Sequence, residues 1–183
     1  MSRRLTIFAA MGLALCFATH VAQAADVPDV STPEAAFAAL ESLAGEWTNE
    51  KTPDAKPGMV IRTTGAGSAV QVTFFPDTPM EMLSLFHLDG PERLVHTHYC
   101  ALQNQPTMEL VKTDRPGVMR FEFVSGTNMD VDEDMHSHNT EIEILADGKF
   151  KAVVESWDAG KPAGKQEFTM QRRPEKKVAE ATP

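Results

Sequence analysis

Cysteine is nearly absent from this chain, with two in 183 residues, Cys16 and Cys100. Cys16 falls in an apolar run from Leu5 to Ala18, which follows Arg3 and Arg4 and precedes Ala22-Gln23-Ala24, the A-x-A pattern of a signal-peptidase site. The sequence therefore predicts a cleaved signal peptide over residues 1–24, a mature protein starting at Ala25, and a periplasmic or secreted location. The bulky Leu15 before Cys16, and its distance from the cleavage site, argue against a lipid anchor. Cys100 then stands alone in an oxidising compartment, without an internal disulfide partner.

Long hydrophobic runs are also missing. The leader is too short for a membrane span and no later stretch approaches its length, so no membrane insertion is expected after cleavage. Positive charge is scarce, with 17 Lys and Arg against 26 Asp and Glu, a net −9. Cleavage takes two basic and no acidic residues, which leaves 15 against 26, or −11. A surface of that sign excludes nucleic acid and anionic membranes as natural partners. No Gly-x-Ser-x-Gly, phosphate loop or dinucleotide fingerprint occurs. What remains after cleavage suits one domain with one core.

Past an extended leader, Thr32 is placed to cap a helix with Pro33 at its first position and Glu34 in its first turn. Phe37, Leu40 and Leu43 recur at helical spacing, and Gly45 stands where a helix stops. Residues 25–45 thus read as leader and short amphipathic helix. From residue 46 to 173 the period changes to two, in alternating runs over 46–51, 58–65, 68–75, 81–88, 94–102, 106–112, 118–124, 136–145, 149–158 and 164–173. Asp89-Gly90-Pro91, Arg115-Pro116-Gly117, Asp147-Gly148 and Gly160-Lys161-Pro162 are hairpin turns in kind. The expected fold is all-β, an antiparallel up-and-down barrel of about ten strands that closes to remove its edges, followed by a flexible tail over 174–183.

A short helix, then Gly45-Glu46-Trp47, then a meander resembles the calycin group, which includes lipocalins and nitrobindin-like barrels. A wider set of motifs is similar to a family of bacterial lipocalin-like secreted proteins: Phe75-Pro76, Glu81-Met82, Thr97-His98-Tyr99-Cys100, Asn104-Gln105-Pro106, Gly126-Thr127-Asn128, Met135-His136 and Gly160-Lys161-Pro162. The resemblance implies the barrel fold and a set of polar positions, Glu81, His98, Asn104, Gln105, Asn128 and His136. It departs at Val72 and Met80, where the family often carries Glu and His.

Strand parity proposes which side chains share a face. His136, His138 and Thr140 share the parity of the core candidates Ile142 and Ile144. Leu94, His96, His98, Cys100 and Leu102 share another face. Residues i and i+2 project the same way, so His96 with His98 and His136 with His138 are candidate metal ligands, for zinc in a three-histidine arrangement or for copper with Cys100, Met82, Met129 and Met135. The alternative is exposed or merely hydrogen-bonded histidines. Asp130, Asp132, Asp134 and Glu141 match calcium-loop positions, but Met135 replaces the turn glycine and Glu141 falls on a strand, so a solvated acidic loop is the better reading. Cys100 beside His98 admits a thiolate nucleophile, with a packed and protonated core thiol preferred. Asn104 and Gln105 beside Pro106 either shape a turn or serve a pocket, where Gln105 and Asn128, each at a strand boundary, would reach the same barrel mouth as His98 and His136 as polar contacts of a small molecule.

The sequence thus supports three functions. The first is a barrel that binds a small, partly apolar molecule through Glu81, His98, Cys100, Asn104, Gln105, Asn128 and His136. The second is a metal carrier or metal-dependent enzyme built on His96, His98, His136 and His138. The third is an interaction module with a fully packed barrel.

Overall fold

A computed structural model describes residues 27–173. The expected signal peptide and cleavage site, with Cys16, and the tail expected over 174–183 lie outside the described residues. Helix α1, Pro33–Ser42, starts as its sequence dictates: Thr32 is extended and its hydroxyl accepts from the Ala35 N–H at 3.2 Å. Ala36, Phe37, Ala39 and Leu40 form its buried face. Gly45 does not end this helix. It opens strand β1, Gly45–Asn49, with φ at +141°, a conformation costly to any residue with a side chain.

Nine further strands follow: β2 (Met59–Thr64), β3 (Ala69–Phe74), β4 (Met82–Leu88), β5 (Leu94–Tyr99), β6 (Gln105–Val111), β7 (Val118–Thr127), β8 (His136–Ile144), β9 (Phe150–Asp158) and β10 (Lys161–Arg172). Each pairs antiparallel with its sequence neighbour, and β1 pairs with β10, so the meander closes into a ten-stranded barrel. At the seam Trp47 lies opposite Arg172, whose guanidinium is 4.5 Å from the indole centroid and donates to the Ser42 and Ala44 carbonyls at the helix end. Trp47 itself is wholly buried, donates to the Leu43 carbonyl at 2.8 Å and meets Phe150 edge to face.

Several strand ends differ from the sequence reading. β10 begins at Lys161, because Ala159 and Gly160 both have positive φ and make a two-residue hairpin, and a bulge between Pro162 and Gly164 absorbs the proline. β7 runs on to Thr127 across an irregularity opposite Thr107 and Met108. β5 stops at Tyr99, so Cys100 and Leu102 fall in the turn beyond it. Helix α1 packs against β3, β4 and β5 at one end of the barrel. The β1–β2, β3–β4, β5–β6, β7–β8 and β9–β10 connections lie at the other.

Candidate functional site

The barrel is hollow. Its cavity has a volume of about 400 Å³, with Leu40 and Leu43 of the helix as floor. Phe75, Leu102 and Met135, from three of the five loops of the open end, both line it and are exposed to solvent, which marks the mouth. Among the described residues no Asp, Glu, Lys or Arg lines the cavity. Period-two alternation explains this: the charged side chains take the opposite parity, where Glu141 and Glu155 pair with Arg115 and Lys165 at 2.7 and 2.6 Å.

Two histidines of β5 point inward, as their parity predicts. His98, near the mouth, is 8% exposed and shares a 3.0 Å hydrogen bond through Nδ1 with the buried Ser84 hydroxyl on the facing strand β4. Phe74 meets its ring edge to face. Burial alone lowers its pKa to about 4. His96 lies one inward position deeper and is 2% exposed. Its ring stacks on Phe86 at 4.4 Å and stands perpendicular to Phe121 at 5.0 Å. Neither ring nitrogen has a hydrogen-bond partner. Burial, aided by the neighbouring His98, lowers its pKa to about 3, so the ring is neutral and still owes one donor and one acceptor contact.

The β8 histidines are arranged differently. His136 is fully buried and lines the cavity, but its Nδ1 is 2.8 Å from the Asp134 carbonyl and its Nε2 is 2.9 Å from Nδ1 of His138. A carbonyl only accepts, so Nδ1 of His136 carries a proton and donates to Asp134, while Nε2 shares one proton with Nδ1 of His138. Both nitrogens of His136 are therefore spent inside the protein. A register shift between Ser137 and Asn139 leaves His138 unpaired in the ladder. It takes His138 off the expected cavity face and into a sandwich between Trp157 at 3.8 Å and Phe123 at 4.7 Å, while Ser137 and Thr140 line the cavity. The two His-x-His pairs do not converge. Among the described residues no three His, Cys, Asp or Glu side chains form a group fit to hold a metal.

The remaining sequence candidates divide by place. Cys100 lines the cavity near its mouth and is half-buried, not packed in a closed core, because the turn carries Leu102 out to 53% exposure. Glu81, Asn104, Gln105 and Asn128 are not in the lining. Glu81 accepts from the Asp77 N–H at 2.8 Å within the β3–β4 loop. Asn104 is buried and donates to the Met135 carbonyl at 2.9 Å, tying the β5–β6 turn to the β7–β8 loop. Gln105 accepts from the Thr127 hydroxyl, and both Gln105 and Asn128 donate to the Gln103 carbonyl. These residues shape the mouth with polar atoms turned to backbone or neighbouring strands, except that the buried Asn104 Oδ1 has no hydrogen-bond partner. In the acidic loop Asp130 and Asp134 cap its own N–H groups, while Glu141 is held on β8 by Arg115.

Ser84 and Ser156 line the cavity and were not singled out in the sequence. The signal was present, since Ser84 shares parity with Met82 and Phe86, and Ser156 with Ala152 and Val154. A small hydroxyl amid inward apolar residues reads as filler until a partner such as His98 is placed opposite it. Compared with protein-family models, with curated proteins and with solved structures, the chain matches none.

Proposed function

We propose that this protein is an exported barrel that binds a small, partly apolar molecule in its cavity, in the manner of the calycin-type and lipocalin-like families its sequence resembles. The observation that carries the reading is His96. A neutral imidazole, almost entirely buried, faces a cavity of about 400 Å³ with both nitrogens unpaired. An unmade hydrogen bond of a buried group costs about 1–3 kcal/mol, and a ligand that supplies it recovers that energy. The volume falls in the range of small-molecule sites, and the mix of an apolar wall with a few polar groups is what such sites use for orientation. His98, Ser84 and Cys100 are among the further polar groups of the lining, with Asn49, Ser156 and Gln166. The signal-peptide pattern supports a periplasmic or secreted location, with a mature start at Ala25.

The test uses the neutral fluorescent probe N-phenyl-1-naphthylamine. Its emission should rise saturably at one probe per chain, and the rise should be lost in Ala152→Trp, where a large side chain fills the lining. No saturable signal would overturn the proposal. Dialysis against a chelator should leave the unfolding temperature unchanged. A loss of stability restored by one equivalent of zinc or copper would put the metal reading in its place.

A further inference from the structure

Resting on that reading, we infer that the cavity selects an uncharged molecule that carries, beside its apolar body, one group able both to donate and to accept a hydrogen bond, a hydroxyl or an amide, and that His96 is the residue that reads it.

Three features of the lining lead there. The first is its charge. With no Asp, Glu, Lys or Arg among the described residues that line the cavity, an ion entering it loses hydration and meets no fixed counter-charge, which is costly in a largely apolar enclosure. An anion's recourse is to protonate an imidazole, and burial sets both inward β5 histidines against that, at about 3 and about 4, while His136 already has both nitrogens engaged within the protein. A cation meets no carboxylate.

The second is the supply of free polar atoms. His136 has both nitrogens engaged, and His98 has Nδ1 engaged with Ser84. His96 alone among these three has neither nitrogen occupied. Its ring is stacked on Phe86 and stands edge-on to Phe121, two side chains with no polar atom to offer it. A neutral imidazole offers one N–H and one lone pair. A hydroxyl or an amide matches either, whichever nitrogen carries the proton.

The third is position. His96 lies deep in the barrel beside Phe86, with Phe150, Ala152, Phe168 and Met170 also in the lining. A ligand that reaches His96 must therefore bury an apolar body among these groups at the same time.

The experiment is calorimetric titration of the intact protein at pH 7.5 with four compounds of one skeleton: 2-naphthol, naphthalene, 2-naphthoate and 2-naphthylmethylammonium. The hydrogen bond to His96 predicts 2-naphthol binding about tenfold or more tighter than naphthalene, with both ions weaker than 2-naphthol by at least about as much. In His96→Leu the naphthol preference should collapse to within about twofold, while naphthalene, which also reports that the variant is folded, still binds. Equal binding of naphthol and naphthalene, or an ion binding as tightly as naphthol, would overturn the inference and leave the pocket reading standing. Failure of all four compounds to bind the wild type would overturn both. Where His96→Leu does not fold, His96→Phe takes its place in the same comparison, and a naphthol preference kept in that variant would overturn the assignment to His96.

Discussion

His96 and His98 are neutral in the folded protein down to about pH 3 and 4, whereas in the unfolded chain they take protons near pH 6.5. A base whose folded pKa is depressed adds nothing above the unfolded value. As pH falls below it, the unfolded state gains protons that the native state refuses, and stability falls by roughly 1 kcal/mol per pH unit for each such histidine. Urea midpoints should therefore drop between pH 7.5 and 5.5, and His96→Leu should flatten that dependence. An unchanged slope in the variant would refute the burial of a neutral His96. Glu155, lowered to about 2 by hydrogen bonds from Asn139 and Lys165, acts only below its unfolded value of 4.5 and does not blur the comparison. At this scale the sequence was legible where side chains alternate: period two alone turns His96 and His98 inward. It was illegible at strand ends. Asn104, Gln105 and Asn128 look like pocket donors, but loop carbonyls within two or three residues of a turn compete for the same amides, and no pattern in the chain announces which acceptor wins.

Among the elements, the helix and nearly every strand follow from capping residues and alternation, because those signals are local. The bulges do not, since an extra residue in one strand depends on its neighbour's register. The shift at His138 moved that imidazole from the cavity wall into the Phe123–Trp157 sandwich and put Ser137 in the lining. Gly45 is the clearest revision, a strand opener where a helix stop was expected. Its φ of +141° and the approach of the Arg172 guanidinium leave no space for a Cβ. Gly45→Ala should cost about 1–3 kcal/mol of unfolding free energy, measured by urea titration. A neutral result would mean that the seam relaxes without loss.

The ten alternating runs and their hairpin turns specify a closed meander for the whole molecule, because any open arrangement leaves two bare edges. They do not specify its hollow interior. Whether a barrel of this size is filled or empty turns on how Phe86, Phe121, Phe150 and their neighbours pack, which is a three-dimensional property. One end is covered by helix α1 and the other opens past Phe75, Leu102 and Met135, so Cys100 and any bound molecule share a door. Saturating N-phenyl-1-naphthylamine should slow native labelling of Cys100 by a neutral maleimide about tenfold or more, as expected when a ligand covers a half-buried thiol. Unchanged labelling would place the probe elsewhere.

The seam that completes the barrel joins groups far apart in the chain, for Arg172 reaches back 128 residues to the Ala44 carbonyl. Every strand has one partner next door in the chain, but the second partner of β1 is the last strand. Without β10 the meander would keep two unpaired edges and an open wall. Closure is thus the slow step expected of a long-range β pairing, in milliseconds to seconds, and the cavity gains its complete wall only with the dozen residues of β10.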